Sequence, residues 1–319
     1  MRLILLGSGE FGLPTFHRLQ DEHEVVAVVT QPDRPSGRGR KVNPTAIGAW
    51  ASEMGLNLVK CDDVNDSQIV ENLRAKRADA AVVIAFGQKL GQPLLDGIGS
   101  LALNLHASLL PKYRGAAPIN WAIIHGERET GLSVISLAQR MDGGLIYGQC
   151  RTAIDPMQTA GELHDRLAAL GPDLVADVLR QFEAGDLAGR PQDESQVTRA
   201  PKLSAADRQI DFDADPQAVR ARVHGLTPWP GAVVCWHSAA QREAAARALK
   251  LLRVDIGPTP DRAAPPGTVV QCTAAALDVA VRDGVIRLLE LQPADRRPMS
   301  AAAFLQGHDM AEGDRLTGR

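Results

Sequence analysis

The chain has 319 residues, of which 45% are apolar and 23% charged, so it is long enough to fold as two globular domains. Its formal net charge of −3 excludes a protein that is basic overall, and any contact with nucleic acid has to come from a local patch. No run reaches the roughly eighteen apolar residues that a membrane helix needs, and four cysteines without a CxxC pair favour a reduced, cytoplasmic location over a zinc module or a disulfide framework.

Strands and helices are predicted to alternate over residues 1–188. Strands are expected at 2–6, 25–30, 56–59, 80–85, from 101, and at 132–138 and 145–153, with helices beginning near 13, 44, 67, 118 and 160. The last helix starts at the capping box Thr159-Ala-Gly-Glu162 and is expected to break and restart at Gly171-Pro172. Val-rich runs such as VVAVVT suit strands covered on both faces, so we predict a doubly wound, mostly parallel α/β domain.

The composition and hydrophobic pattern of the sequence change after this domain. Residues 189–206 are polar and irregular and are predicted to be a linker. Residues 207–319 contain short apolar runs such as AVVCW and LDVAV between Gly, Pro and Asp turns, which predicts a small barrel or sandwich. This second domain holds 14 basic and 14 acidic residues, so it carries no net positive charge.

A glycine-rich turn, GSGEFG at residues 7–12, follows the first strand and has the GxGxxG spacing of a dinucleotide-binding fingerprint. Such sites carry an acidic residue at the end of the second strand, but this chain has Thr30 there, and Asp33 lies three residues further on. The motif therefore favours an ordinary tight turn, and a nicotinamide-dependent enzyme remains the alternative.

Two polar side chains, Asn104 and His106, interrupt the apolar run LALNLHASLL. On a strand they point to the same face, near the carboxyl end where open parallel sheets bind ligands. Asp142, in the run RMDGG, follows another apolar strand. An Asp beside a His favours the imidazolium, and an Asn can donate to an oxyanion. The trio predicts acyl transfer through a tetrahedral intermediate; the alternative for Asn104 and His106 is a structural pair at a strand end.

Parts of this trio are compatible with two other chemistries. Ser108 invites a Ser-His-Asp hydrolase interpretation, but no nucleophile elbow surrounds it, and it lies only two residues from its base. A metal site built from His106 and Asp142 lacks a third nearby ligand, so we predict no metal.

Four basic residues lie in a long loop over residues 31–43. Arg34, Arg38, Arg40 and Lys41, offset by Asp33, give this loop a local charge of +3. One interpretation is a solvated run of charges in a surface loop. The other is contact with phosphates, which Arg side chains bind bidentately.

The run SLLPKYRG, which follows Asn-x-His directly, resembles the signature of the folate-dependent formyltransferase family. The resemblance extends over the whole chain through the runs QPDRPSGRGRK, APKLSAADRQIDF, LTPWPGA and LLELQPADRRPMSAAAFLQGH. It implies a Rossmann-like domain followed by an OB-like β-barrel. The implied reaction moves the formyl group of 10-formyltetrahydrofolate to the amine of methionine esterified to initiator tRNA. The protein is expected to be a monomer.

The resemblance also implies roles for individual residues. Asn104, His106 and Asp142 correspond to the family's catalytic trio. The chemistry of amine attack agrees: Asn104 and protonated His106 are expected to stabilise the oxyanion, while Asp142 is expected to support the imidazolium and to accept the amine's proton through water. The implied folate contacts are Ser108, Leu109, Leu110 and Pro111, together with the pterin-facing loop Phe86, Gly87, Gln88, Lys89 and Leu90. The Arg-rich loop, with Arg34, Arg38, Arg40 and Lys41, is the expected tRNA contact, and residues 207–319 are the expected tRNA-binding domain.

Three rival functions stay open at this point. A formyltransferase acting on a UDP-amino sugar would share Asn-x-His, SLLPKYRG and PWPGA. A formyltetrahydrofolate deformylase would use water as the acceptor and would leave the second domain without a role. An NAD(P)-dependent oxidoreductase rests on GSGEFG alone.

Overall fold

The computed structural model describes residues 1–36, 41–240, 245–258 and 263–318, and all structural statements refer to these ranges. Its elements in the first part of the chain are β1 (Arg2–Gly7), α1 (Leu13–Glu22), β2 (Glu24–Thr30), β3 (Arg34–Ser36), β4 (Lys41–Asn43), α2 (Ala46–Glu53), β5 (Leu58–Lys60), α3 (Ser67–Ala75), β6 (Ala80–Ile84), α4 (Gln92–Leu95), β7 (Leu101–His106), α5 (Pro118–Ile124), β8 (Glu129–Ser136), β9 (Ile146–Ala153) and α6 (Ala160–Ala184). The remaining elements are α7 (Pro216–Gly225), β10 (Ala232–His237), β11 (Arg247–Ile256), β12 (Val269–Thr273), β13 (Ala276–Val281), β14 (Gly284–Pro293), β15 (Met299–Ser300), α8 (Ala301–Gly307) and β16 (Arg315–Gly318). Short 3-10 turns lie at Glu10–Gly12, Glu194–Gln196 and Ala206–Arg208.

The larger sheet confirms the predicted Rossmann-like α/β fold. Its strand order is β5-β2-β1-β6-β7-β8-β9, and the strands from β5 to β7 pair in parallel. The order reverses between β1 and β6, which is the position where open α/β sheets bind ligands at the carboxyl ends of their strands. β7 lies beside β6 and pairs on its other side with β8, which runs antiparallel to it.

Local signals place most of the helices as predicted. The Thr45 hydroxyl accepts from Gly48 N, the Asp66 carboxylate accepts from the first turn of α3, and Glu162 and Thr159 form the reciprocal capping box. The expected break at Gly171-Pro172 is wrong, because α6 runs through Pro172. Buried leucines and valines on both sides of Pro172 keep the helix packed, which offsets the lost backbone hydrogen bond.

The smaller sheet has the strand order β12-β13-β14-β11-β10-β16, with antiparallel pairing throughout, and β15 pairs with β14. It curls so that an isolated bridge between Thr268 and Arg315 joins its two edges, which agrees with the predicted OB-like architecture. Its core includes Val223 of α7, Trp236 of β10 and Phe304 of α8, all buried.

The chain divides into two compact units. The first contains Met1–Gly115, Gly131–Thr152 and His164–Arg199, and the second contains Ala116–Thr130, Ala153–Leu163 and Ala200–Arg319. The domain boundaries inferred from the sequence, with a linker at 189–206, stay a prediction.

A buried histidine of the second unit, His224, has both ring nitrogens in hydrogen bonds. Nδ1 lies 3.2 Å from the Pro156 carbonyl oxygen, and Nε2 accepts from Val254 N–H at 3.1 Å. A carbonyl only accepts and an amide N–H only donates, so the neutral ring with its proton on Nδ1 satisfies both partners. Burial, together with the charges of Arg253 and Arg220, lowers the pKa of His224 to about 4.

This geometry predicts a loss of stability in mild acid. The unfolded chain binds a proton at His224 below its ordinary pKa of 6.5, whereas the folded chain binds it only near pH 4. The free energy of unfolding should therefore fall between pH 6.5 and pH 4, by up to roughly 3 kcal/mol from this residue. Urea unfolding of wild type and His224→Gln across this range checks it: the variant should show a shallower pH dependence, whereas the same change at exposed His237 should leave the slope unchanged.

Candidate active site

Strand β7 carries Asn104 and His106 into the first unit's sheet. Asn104 pairs in register with Val83 of β6, and His106 pairs with Ser133 of β8. Asn104 is half-buried, and within the described ranges no protein group hydrogen-bonds to its amide. His106 is buried. The strand thus presents one amide without a protein partner and one enclosed imidazole.

The SLLPKYRG turn closes over His106 and orients its ring. Within the turn, the Ser108 hydroxyl donates to the Lys112 carbonyl at 2.7 Å, and Leu110 N–H donates to the Ser133 hydroxyl at 3.0 Å. The Tyr113 carbonyl oxygen lies 2.9 Å from Nε2 of His106. A carbonyl cannot donate, so this contact assigns the proton of the neutral ring to Nε2 and leaves Nδ1 as the proton acceptor.

Asp142 faces that acceptor nitrogen. Its Oδ2 lies 3.8 Å from Nδ1 of His106, and the two side chains are only 13% and 7% exposed. The same oxygen accepts a hydrogen bond of 2.8 Å from Gly115 N–H. A proton arriving at Nδ1 would form an imidazolium opposite a carboxylate, which stabilises the charged ring.

The loop that carries Asp142 has a constrained backbone. Asp142 has a φ of 52°, in the left-handed region that Asp tolerates better than most residues. At Gly144 a Cβ atom would lie 1.8 Å from the Ser136 carbonyl oxygen, so only glycine fits. The glycines of RMDGG therefore permit a tight turn that delivers the carboxylate.

The predicted folate loop, Phe86–Leu90, follows β6 at the same sheet edge. Other segments hold it: the Phe86 carbonyl accepts from Gln31 Nε2 at 2.9 Å, while the side chain of Gln88 accepts from Val64 N–H and donates to the Cys61 carbonyl. Gly87 and Lys89 are exposed, Leu90 is half-buried and Phe86 is buried. In the second predicted folate segment, Ser108 and Leu110 are buried while Leu109 and Pro111 are half-buried.

The GSGEFG turn has its serine hydroxyl in internal hydrogen bonds. The Ser8 hydroxyl donates to the Phe86 carbonyl at 3.2 Å and accepts from Gln31 N–H at 3.3 Å. Thr30, at the end of β2, is buried with its hydroxyl 2.6 Å from that of Thr45. These contacts fit the tight-turn interpretation and place no acid where a ribose would need one.

The Arg-rich segment is partly a hairpin and not only a loop. β3 and β4 pair antiparallel, with Arg34 opposite Asn43. Short β pairing is encoded by local backbone partners and carries little hydrophobic signal, so the sequence pattern missed it. Arg34 and Lys41 are exposed, and Arg34 lies 3.9 Å from Asp62. Arg38 and Arg40 lie outside the described residues.

Sequence reasoning missed three residues that contact the trio's loops. Arg114, Gln192 and Thr198 hydrogen-bond around Tyr113 and Asp142, and two of them belong to the stretch predicted as a linker. No periodicity or motif marks them, because their role depends on a tertiary contact.

Two further observations concern membrane-spanning helices and metal ligands. No helix in the described part of the chain is both long and apolar enough to span a membrane. Likewise, no three His, Cys, Asp or Glu side chains in those ranges are grouped as metal ligands would be. The predicted absence of a metal stays a prediction.

Comparisons with known proteins agree with the fold. A family profile described as Formyl transferase matches residues 1–179, and one described as Formyl transferase, C-terminal domain, matches residues 202–309. A methionyl-tRNA formyltransferase of Heliobacterium modesticaldum is 40% identical over 324 residues, covering 99% of this chain and 100% of the relative.

Solved structures show the same architecture at low identity. HypX from Aquifex aeolicus, in complex with tetrahydrofolic acid, matches 100% of this chain with a TM-score of 0.62 and 18% identity, and this chain spans about half, 51%, of the HypX chain. An N-formyltransferase from Helicobacter canadensis, in complex with folinic acid and dTDP-3-aminofucose, matches with a TM-score of 0.65 and 14% identity, covering 91% of this chain and 98% of that one.

The Rossmann-like sheet followed by a curled antiparallel sheet is the fold that this chain shares with these solved structures, and the matched family profiles make it a formyl-transferring enzyme. The family profiles and the full-length relative add the sequence evidence. The chain belongs to the formyl transferase family.

Proposed function

We propose that this protein transfers the formyl group of 10-formyltetrahydrofolate to the α-amine of methionyl-initiator tRNA, giving formylmethionyl-tRNA for translation initiation. The observation that carries the chemistry is the buried His106 with Nδ1 facing the Asp142 carboxylate, on the strand that also bears Asn104, whose amide has no hydrogen-bond partner among the residues that the structure describes. The acceptor is inferred from the methionyl-tRNA formyltransferase of Heliobacterium modesticaldum, which is 40% identical to this chain over its full length.

In 10-formyltetrahydrofolate the formyl carbon is bonded to N10 of the folate. Attack by the amine forms the new C–N bond and moves charge onto the formyl oxygen, where the Asn104 amide donates a hydrogen bond. His106 accepts the amine's proton at Nδ1, since Nε2 already donates to the Tyr113 carbonyl. Asp142 stabilises the resulting imidazolium. When the tetrahedral intermediate collapses, the bond between the formyl carbon and N10 breaks, and the proton on His106 passes to N10 of the departing tetrahydrofolate. This refines the sequence-based expectation, which gave His106 an oxyanion-binding role.

The residues proposed to bind the folate fit a flat, polar heterocycle. Gly87 and Lys89 are exposed, and half-buried Leu109 and Pro111 offer apolar surface. The whole proposed set is Phe86, Gly87, Gln88, Lys89, Leu90, Ser108, Leu109, Leu110 and Pro111. No metal is proposed, and the monomeric state and cytoplasmic location stay predictions.

The proposed tRNA contact comprises Arg34, Arg38, Arg40 and Lys41, with further contact from residues 207–319. Their support is the local charge of +3 in an otherwise acidic chain. In the described part of this segment, both Arg34 and Lys41 are exposed, as phosphate-binding side chains must be.

An acceptor panel tests the function. Purified protein with 10-formyltetrahydrofolate is given charged initiator tRNA, charged elongator methionyl-tRNA, a UDP-amino sugar, or water alone. We expect formylation of the initiator tRNA in preference to the other acceptors, measured as formylmethionine released from tRNA. Formylation of the sugar without the tRNA would assign the rival transferase, and tetrahydrofolate release in water alone would assign the deformylase.

The catalytic trio makes a separate prediction. Asp142→Asn keeps an oxygen that can accept from Gly115 N–H but loses the charge facing His106, so the protein should fold while kcat falls by about a hundredfold or more. His106→Ala should lose transfer to a similar degree. Single-turnover formylation measures both, and Asp186→Asn, an equivalent change at an exposed carboxylate of the same unit, is the matched control. Near-normal turnover of a folded Asp142→Asn protein removes that residue from the mechanism.

The tRNA contact predicts altered salt dependence. Changing Arg34, Arg38, Arg40 or Lys41 individually to Ala should raise the KM for tRNA. Each change should also reduce the slope of log KM against log salt by roughly 0.7 to 1 if the side chain binds one phosphate. Arg180→Ala, at an arginine that is 67% exposed on α6, is the control and should change neither quantity. Unchanged KM and slope in all four variants would show that these residues are only solvated.

A further inference from the structure

A segment within the predicted linker, residues 192–198, hydrogen-bonds both to the turn that holds the His106 ring and to the loop that carries Asp142. We refer to it as the strap. Thr198 accepts from Tyr113 N–H through Oγ1 at 2.8 Å and from Arg114 N–H through its carbonyl at 2.9 Å. Tyr113 in turn holds Nε2 of His106. At its other end the strap reaches the Asp142 loop through Gln192.

Gln192 uses the full hydrogen-bonding capacity of its amide. Its Nε2 donates to the Asp142 carbonyl at 2.7 Å and to the Gly144 carbonyl at 2.8 Å. Its Oε1 accepts from Nε of Arg114 at 3.0 Å and from Nη2 of Arg114 at 2.7 Å. An amide has two donor hydrogens and two acceptor lone pairs, so every one is engaged. The orientation of this side chain is therefore determined on both sides.

Arg114 holds the side-chain oxygen of Gln192 through two hydrogen bonds. Its side chain is only 6% exposed, and Nη2 also pairs with Glu194 of the strap at 2.9 Å. Glu194 binds Arg140 as well, at 2.5 Å, just before the Asp142 turn. A buried guanidinium with all these partners resists rotation, because leaving it unpaired is expensive in free energy.

The two carbonyls that Gln192 holds belong to Asp142, whose carboxylate faces His106, and to Gly144 two residues further on. Asp142 lies in the left-handed region with glycines on its C-terminal side, so its loop has little local preference for this conformation. Gly115 N–H fixes the carboxylate oxygen, and Gln192 fixes the backbone on the C-terminal side of the Asp142 Cα. Without Gln192 the loop would keep the bonds from Gly143 N–H to the Arg140 carbonyl and from Leu145 N–H to the Ser136 hydroxyl, but it would lose both bonds that hold the Asp142 and Gly144 carbonyls.

We infer that Gln192 is a positioning residue that holds the Asp142 carboxylate against Nδ1 of His106 during formyl transfer, an assignment that rests on the proposed function. Gln192 touches neither substrate nor reacting atoms in this role. It acts through the backbone of Asp142 and Gly144, and loss of its two N–H donors should affect the transition state more than substrate binding.

Gln192→Glu tests this directly. The new carboxylate keeps and strengthens the pairing with Arg114. In place of the nitrogen that carried both donor hydrogens it has an oxygen, which repels the Asp142 and Gly144 carbonyls. We expect the protein to fold, kcat to fall at least tenfold, and KM for the folate and for tRNA to stay within about twofold of wild type. If Gln192→Glu fails to fold, Gln192→Met provides the same loss of donors without added charge.

Two further readouts separate positioning from a merely structural role. In a double-mutant cycle with Asp142→Asn, Gln192→Glu should add less than about threefold, because its effect passes through that carboxylate. Residue-resolved hydrogen exchange should show faster exchange at Gly115 N–H in Gln192→Glu. Gln196→Met is the control: the exposed Gln196 side chain on the same strap donates through Nε2 to Asp193 and not to the Asp142 loop in the described ranges, so the variant should behave as wild type.

The outcomes are distinct. Additive effects in the cycle, or unchanged kcat in folded Gln192→Glu, overturn the positioning role. Unchanged exchange at Gly115 overturns it as well. A wild-type protein that formylates no tRNA would contradict the proposed function instead, while the exchange measurement would still report whether Gln192 holds the Asp142 carboxylate.

Discussion

The hydrogen bond from Gly115 N–H to the Asp142 carboxylate is the constraint on which the rest of the site depends. It holds one carboxylate oxygen 3.8 Å from Nδ1 of His106, in a place where both side chains are nearly excluded from water. In such surroundings an imidazolium and a carboxylate interact far more strongly than at the surface. Because the Tyr113 carbonyl holds Nε2, Nδ1 is the ring position left to accept a proton.

Strand direction explains why this contact needs support from elsewhere in the chain. β8 runs antiparallel to β7, so Ser136 at its end lies opposite Leu103, three residues back from His106. The loop after β8 must therefore turn back along β7 to bring Asp142 to the histidine. Two glycines permit that turn but do not stabilise it, and the backbone contacts from Gln192 add to the hydrogen bond from Gly143 N–H to the Arg140 carbonyl that holds the loop.

In the second unit, an apolar core contains buried polar groups that are paired with one another or with the backbone. Its curled sheet encloses an apolar core, and the polar groups inside that unit are paired: Asp278 forms two hydrogen bonds with Arg287 across adjacent strands, and His224 satisfies two backbone groups as a neutral ring. Such buried groups are tolerated because every donor and acceptor has a partner. Surface charge, and not this core, is then available for contact with nucleic acid.

The sequence by itself determined the strands of the larger sheet, most of that domain's helices, the capping residues and the placement of Asn104 and His106 on one strand face, because alternation, capping and apolar runs are local properties. It also indicated Asp142 as the third member, through its acid and glycine pattern. Only the tertiary structure decided which imidazole nitrogen faces the carboxylate, that α6 continues through Pro172, and that Gln192 in a polar, irregular stretch holds the Asp142 loop. These features depend on contacts between residues as far as 50 positions apart, which leave no periodic trace in the sequence.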